Sequence, residues 1–330
     1  MANQKPLVSV IIPTHNRSDA LARTLFELAN QQFDKPWEAI VVNNRCTDDT
    51  DEVVRRQSFP VPLQVVHRED RAGPAAARNA GAAVAVGDYL LFMDNDILVG
   101  PDFVKRHLNA LVSYSGCWIV GQIINLPEQE RTPLGQFRRA LSPYDPPDGP
   151  AREAKGVTGQ SLSLPRTDFE RLNGFDESFN IASVEDIELA VRAWRLGIKI
   201  LYIPHIIGVH NDWAGFTIRD YCQRQRTYSH CEPLFWQRYG KEYPKQELVD
   251  ANLPIQLSRD GPKLLLRKFL KQFVSLSPVQ WTLFSACDVL ERFCPWPPAL
   301  WRLYRLLLSS AIYKGFQEGI MSYNIDSNRS

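Results

Sequence analysis

Gly87-Asp88-Tyr89-Leu90-Leu91-Phe92-Met93-Asp94-Asn95-Asp96 is the stretch that decides the fold. Asp88 to Met93 is a short, largely apolar run that reads as a buried strand. It leads straight into two carboxylates, two residues apart, on the loop leaving that strand. Such a pair can share one hard cation, because Mg²⁺ and Mn²⁺ take oxygen ligands and bridge phosphates. A cation held there would neutralise charge developing on a diphosphate leaving group. A solvated turn explains most Asp-x-Asp triplets; the position after a buried strand gives this one its weight.

Upstream, strand and helix patterns alternate. Leu7 to Ile12 is a β-branched run ended by Pro13, and Ser18 can cap a helix carrying Leu21, Leu25 and Leu28. Glu38 to Val42 is a second strand, followed by a helix through Val53 and Val54 that Thr47 or Asp48 can cap. Leu63 to Val66 is a third. A loop with Gly73 and Pro74 enters an alanine-rich helix, Ala75 to Val86. This alternation predicts an α/β protein with parallel strand pairing and helices over the sheet. Ligands in such sheets bind beyond the carboxyl ends of the strands. Polar residues sit there: Thr14 to Arg17, Asn43 to Arg45, Arg68 to Arg71, and Asp94 to Asp96. One site assembled from four strand ends is expected.

Downstream, a helix follows Pro101 and a strand runs from Trp118 to Ile124. Asn125 to Lys155 is proline-rich and aperiodic; it reads as a movable lid on the acceptor side or as disorder. Order resumes at Gly156 and continues past His210. Glu185-Asp186 opens a helix whose apolar face is Ile187, Ala190, Val191 and Trp194, with Gly197 at its end. Acids in a first turn complement the helix dipole. The functional alternative is a general base that takes a proton from an attacking hydroxyl. His210 could be structural or, as neutral imidazole, a ligand suited to Mn²⁺ more than to Mg²⁺.

The last hundred residues are different. No acid occurs between Asp260 and Asp288, and Lys263, Arg267, Lys268 and Lys271 alternate with Leu264, Leu265, Leu266, Phe269, Leu270 and Phe273. Residues 261–314 read as basic amphipathic helices that pack on the rest of the chain or dock on an anionic membrane surface. Two domains are expected: one over 1–215, with a nucleotide-binding half over about 1–100 and an acceptor half over about 101–215, and a helical extension over 216–330. The net charge of +1 speaks against a nucleic-acid coat. The six cysteines form no C-x-x-C pair, which disfavours zinc ribbons and thioredoxin-like sites. Without a signal-peptide pattern or a long apolar run, the expected location is the cytoplasm or the inner face of the cytoplasmic membrane.

The order of the motifs resembles family-2 glycosyltransferases of the GT-A fold. The motifs are strand-Pro-Thr-x-Asn-Arg, strand-Asn-Asn-x-Cys-Thr-Asp-Asp-Thr, Arg-x-Gly-Pro-x-x-x-Arg-Asn-x-Gly, the opening stretch, Asn-Gly-Phe-Asp-Glu and Glu-Asp-x-Glu-Leu. The resemblance covers about residues 7–215. It implies a mixed, mainly parallel Rossmann-like sheet with a helical C-terminal extension. It also implies inverting transfer of a sugar from a UDP- or dTDP-sugar to a hydroxyl of a saccharide or lipid-linked acceptor. On this pattern Pro13, Thr14, Asn16 and Arg17 border the nucleotide, Asn43 stands where an Asp commonly contacts the base, and Arg71 and Asn79 line the pocket. Asp94 and Asp96 match the residues that meet ribose, metal and diphosphate, with Mn²⁺ or Mg²⁺ as cofactor. His210 matches a metal-binding histidine of some members. Asp186 matches the catalytic base, with Glu185 beside it, and Gly159, Gln160 and Ser161 fall where the sugar pocket lies. Two departures stand out: Asn43-Asn44 replaces the usual acidic pair, and the Gly159 segment lacks a common Asn.

A sugar-phosphate nucleotidyltransferase would want a glycine-rich loop after the first strand, where this chain has Pro13-Thr14-His15-Asn16-Arg17. Neither a P-loop nor a G-x-G-x-x-G motif is present. A degenerate scaffold for envelope assembly would bind a nucleotide sugar without turning it over. Retention of Asp94, Asp96 and Asp186 counts against it.

Overall fold

The structure is a computed structural model that describes residues 4–70, 73–154, 156–211, 216–240 and 246–325. It forms two compact units: Met1–Pro127, Pro143–Asn180 and Glu185–Ala214 in the first, and Glu128–Ser142, Ile181–Val184 and Gly215–Ser330 in the second.

The first unit is built on strands β1 (Val8–Thr14), β2 (Trp37–Asn43), β3 (Leu63–His67), β4 (Tyr89–Met93), β5 (Ile97–Val99), β6 (Cys117–Asn125), β7 (Arg152–Glu153), β8 (Ser161–Pro165) and β9 (Lys199–His210). Its helices are α1 (Ser18–Ala29), α2 (Thr50–Arg56), α3 (Pro74–Val84), α4 (Phe103–Ser113), α6 (Arg166–Arg171) and α7 (Glu185–Arg195); α5 (Pro133–Leu141) belongs to the second unit. Among the described residues one mixed sheet runs β3-β2-β1-β4-β8-β6-β9-β5, with β7 on β9. The block β3-β2-β1-β4 is parallel, as the alternating pattern predicts, and β8 is antiparallel to both β4 and β6. Chain order runs outward from β1 in one direction through β2 and β3, then returns to the other side at β4. That reversal opens a crevice at the carboxyl ends of β1 and β4.

Alternation along the strands divides the core. Val10, Ile12, Ala39, Val41, Leu91 and Met93 pack on one face with Leu21, Leu25 and Phe103. Ile11, Ile40, Val42, Leu90 and Phe92 pack on the other with Ala75, Ala77 and Leu189. Strands covered on both faces read as continuous apolar runs, which is why they are legible in the sequence. The alanine-rich α3 lies very close to the second face. A Cβ on Gly81 would stand 2.5 Å from Ile11 Cγ2 and 2.9 Å from Val42 Cγ2. Replacing Gly81 with Val is therefore expected to destabilise the fold by about 1–3 kcal/mol through overpacking, against the small gain from leaving glycine. Urea or thermal melts would show it; an unchanged midpoint would mean the helix can lift off the sheet.

Two sequence expectations change. The proline-rich segment is not a plain loop: Gln129–Arg131 form a 3₁₀ turn, and α5 follows, with the Thr132 hydroxyl accepting the Gly135 N–H at 3.0 Å. Leu134 and Phe137 of α5 are buried among Ile218, Tyr304 and Leu307, partners far away in sequence that local periodicity cannot reveal. In α7 the buried face is Glu188, Leu189, Ala190, Val191 and Ala193, whereas Trp194 is 37% exposed. Glu188 takes that place because both its oxygens are bound by Arg192, at 2.7 and 2.6 Å. Gly197 closes the helix at φ +77°, as its position predicts.

The second unit is helical, with α5, α8 (Ile218–Ser229), α9 (Glu232–Tyr239), α10 (Gln246–Asp250), α11 (Pro262–Val274), α12 (Ser277–Phe293) and α13 (Pro297–Ser322). α8 begins with a capping box between Thr217 and Asp220. Among the described residues no helix is long and apolar enough to cross a membrane.

Candidate functional site

Strand register assembles the site. Thr14 lies beside Asn43, Asn43 beside His67, and Met93 opposite Ser161. The loop with Asp94 therefore leaves the sheet next to Gly159 and Gln160. His210, the last residue of β9, pairs with Ile97 just past Asp96.

A buried arginine joins the acids. Arg78 of α3 donates from Nη1 to Glu185 Oε1 and from Nη2 to Asp94 Oδ1, each at 2.9 Å. The Arg78 and Glu185 side chains are each 5% exposed, while that of Asp94 is 28% exposed, so the bridge begins in the interior and ends at solvent. Asp94, Glu185 and Asp186 all stabilise the charged guanidinium and raise its pKa, against the cost of burial. Asp186 Oδ2 accepts the Gly159 N–H at 3.0 Å, and Oδ1 accepts the N–H of Ile187 at 2.8 Å. A Cβ on Gly159 would lie 2.6 Å from Arg78 Cζ, so glycine is what lets this backbone approach. Burial first, and the Glu185 carboxylate second, push the Asp186 carboxyl up to about 7, with Arg78 opposing. A carboxyl poised near neutrality suits proton transfer at physiological pH.

Asp96 anchors a second cluster. Its Oδ2 accepts from Arg17 Nη1 at 2.6 Å, and its Oδ1 lies 3.9 Å from His210 Nε2. Between the two acids, Asn95 donates to the Thr14 hydroxyl at 2.7 Å, and Thr24 donates to the Asn95 carbonyl at 2.8 Å, fixing the loop to β1 and α1. Among the described residues no three His, Cys, Asp or Glu side chains already form a metal cluster. Carboxylate and imidazole side by side at Asp96 and His210 fit two positions of a Mn²⁺ donor set.

Other expected residues hold the framework. The Asn16 side-chain oxygen accepts the Thr47 N–H at 2.7 Å from a left-handed backbone, φ +51°. Asn43 donates to Asp51 at 2.7 Å and accepts the Cys46 N–H at 2.8 Å, so its amide organises its own loop. Asn79 clamps both the N–H and the carbonyl of Phe175, each at 2.9 Å, and reaches Glu177. Ser161 has no exposed surface; its hydroxyl meets His107 at 3.0 Å, and in this conformation it offers nothing to a sugar. Pro13 is half-buried at the end of β1, and Gln160 is half-buried beside Thr158. Arg71 lies outside the described residues.

The sequence gives no role to Arg78, although it stands in the Arg-x-Gly-Pro-x-x-x-Arg-Asn-x-Gly motif, and none to His107. Arg78 stands three residues after Ala75 on the buried face of an alanine helix, where a cation is costly unless paired; that spacing is the available signal. His107, buried between Ser161 and Ser163, has its pKa lowered to about 3 by burial and stays neutral.

Solved structures share this architecture. The mannosyltransferase PcManGT from Pyrobaculum calidifontis in complex with GDP-Man and Mn²⁺ aligns at TM-score 0.59 and 20% identity, covering 96% of this chain and 89% of that one. S. aureus TarS 1-349 in complex with UDP-GlcNAc aligns at 0.51 and 16% identity, covering 96% and 92%. The fold is thus the GT-A fold of glycosyltransferases. Residues 9–151 match the model described as glycosyl transferase family 2, and residues 137–212 match the N-terminal domain of galactosyltransferase. The chain is 31% identical over 225 residues to the validoxylamine A glucosyltransferase of Streptomyces hygroscopicus subsp. jinggangensis (strain 5008), covering 59% of this chain and 53% of that protein. It is 33% identical over 141 residues to the putative teichuronic acid biosynthesis glycosyltransferase TuaG of Bacillus subtilis (strain 168), 42% of this chain and 55% of that one. The chain is thus similar to family-2 glycosyltransferases, whose model its residues 9–151 match. The chain spans about half the length of these curated relatives.

Proposed function

We propose that this chain is an inverting glycosyltransferase that moves a sugar from a nucleotide diphosphate, UDP or dTDP, to an acceptor hydroxyl. The observation that carries this reading is the buried arginine bridge, which ties the Asp94 loop to the Glu185-Asp186 helix start. It supports a reading in which Asp94 serves the diphosphate side and Asp186 the acceptor side of one crevice. Asp186 takes the acceptor proton as the oxygen attacks the anomeric carbon, and the nucleotide diphosphate leaves from the opposite face. A single displacement inverts that centre and needs no protein nucleophile. Gly159 orients the base, and Glu185 fixes the arginine beneath it.

Asp96 and His210, with Asp94 nearby, are the residues that would hold Mn²⁺ or Mg²⁺, whose charge would stabilise the departing diphosphate. Arg17, now on Asp96, is placed to turn to a phosphate oxygen. In this reading Asp96→Asn loses most Mn²⁺ binding and most turnover; electron paramagnetic resonance titration of Mn²⁺ reads the first directly. Unchanged Mn²⁺ affinity would take Asp96 out of the metal role.

The acceptor we assign is a growing polysaccharide or a lipid-linked saccharide, in keeping with the teichuronic acid relative. Peripheral contact of residues 261–314 with the inner face of the cytoplasmic membrane completes the reading. Mn²⁺-dependent hydrolysis across a panel of nucleotide sugars tests the activity and names the donor. Binding of a nucleotide sugar with no turnover on any acceptor would favour the scaffold alternative.

A further inference from the structure

Helix α11 is folded inside out. Its buried residues are Lys268, Lys271 and Val274, whereas Leu266 is 71% exposed, Phe269 52% and Phe273 58%. With Leu270 these side chains recur at spacings of three and four residues, which is one stripe of a helix, and exposed Leu276 lies just past the helix end.

The lysines are held inward by specific partners of the same unit. Lys268 Nζ donates to both oxygens of Asp260, at 2.8 and 2.7 Å, and to the Pro254 carbonyl. Lys271 Nζ donates to the Asn252 side chain at 2.6 Å and to the Ala251 carbonyl at 3.1 Å. Burying two ammonium groups is costly and needs such partners. A helix free to rotate would bury its leucines and phenylalanines instead. The fold thus commits the apolar stripe to an outside occupant, because an exposed patch of this kind marks an interaction surface.

Charge decides the occupant. Lys263 and Arg267 are exposed on the same helix, and the sequence from Gly261 to Cys287 contains no acid. Exposed Trp281, on the next helix, and Trp296, just before α13, add the amphipathic rings that settle at a lipid headgroup boundary. A second copy packed through the same face would add its own Lys263 and Arg267 to the interface, with no acid in the stretch to receive either pair. An anionic lipid surface answers both the stripe and the cations.

We infer that the stripe Leu266, Phe269, Leu270 and Phe273, with Leu276 just beyond it, inserts into an anionic lipid surface, with Lys263 and Arg267 at its headgroups. This specifies the membrane contact of the proposed function but does not depend on transfer chemistry, so its test omits the nucleotide sugar. The full chain is sedimented with vesicles of phosphatidylcholine alone and of phosphatidylcholine and phosphatidylglycerol in equal amounts. The parent should pellet with the anionic vesicles at low salt and not with the neutral ones. Phe269→Ser/Phe273→Ser should lose about tenfold or more in partitioning, and Lys263→Gln/Arg267→Gln should reduce both affinity and its salt dependence. All four positions are exposed, so circular dichroism melts of these variants should match the parent. Equal binding by the Phe variant and the parent would overturn the inference. So would a parent that ignores anionic vesicles, or one that is a dimer made monomeric by the Phe substitutions.

Discussion

Asp186→Asn is expected to lower turnover by about 10²–10⁴-fold, the usual range for loss of a general base, with donor affinity little changed. The amide has nearly the shape of the acid, and its one oxygen can still accept the Gly159 N–H; only the Ile187 N–H, at the helix start, loses its side-chain acceptor, so the donor side of the crevice stays assembled. The loss should appear in kcat, because the proton is taken only as the acceptor attacks. The parent's own rate should rise with pH through about 7, where the raised carboxyl ionises, and be lost in acid. Stability supplies a control of opposite sign. Burial raises this carboxyl from 3.8 to about 7, so the folded chain binds more protons than the unfolded one in that window and grows less stable as pH rises through it. Asn removes that penalty. The variant should melt at or above the parent at pH 8 while turning over far more slowly. A variant with near-parental turnover would remove Asp186 from the base role.

Arg78→Met is expected to be the most destabilising of these substitutions, at about 3–5 kcal/mol, because removing one partner leaves a buried carboxylate uncompensated. Glu185 would remain at 5% side-chain exposure without its cation. Adding Glu185→Gln should recover part of the loss, since the stranded charge is then gone. Arg78 also opposes the upward shift of Asp186, so where the single variant still folds, the acid limb of its pH–rate profile should move to higher pH. Chemical denaturation and the pH profile together check this. If Arg78→Met and the double variant melt alike, the bridge is not an energetic unit.

The sequence discloses what local physics controls. β1, β2 and β4 are covered on both faces, so their apolar runs are nearly continuous and their ends stand out as polar breaks. Those breaks mark Thr14, Asn43 and Asp94 as strand-end residues, which the register of the sheet places at neighbouring strand ends. The start of α7 was equally plain from Glu185-Asp186 and the glycine that closes the helix. What stayed hidden depends on distant partners. The two carboxylates of the Asp94 loop look alike in sequence, yet one turns to Arg78 and the other to Arg17. Asn79 and Ser161 look like pocket residues; backbone groups at Phe175 and the buried ring of His107 claim them. α11 reads as a basic amphipathic helix, and the sequence does not say that Asp260 and Asn252 draw two of its lysines inside. Periodicity reports that a helix has two faces and not which of them the rest of the chain will choose.

The close seat of α3 has a consequence for how specificity can drift. Its alanines and Gly81 leave almost no gap above Ile11 and Val42, so the helix cannot slide to suit a bulkier or smaller donor. Arg78 rides on that fixed axis as a fulcrum. New substrates would have to be accommodated at the rim, through residues such as Gln160 and the loops that end β2 and β3, while the pivot below keeps its position from one chemistry to the next.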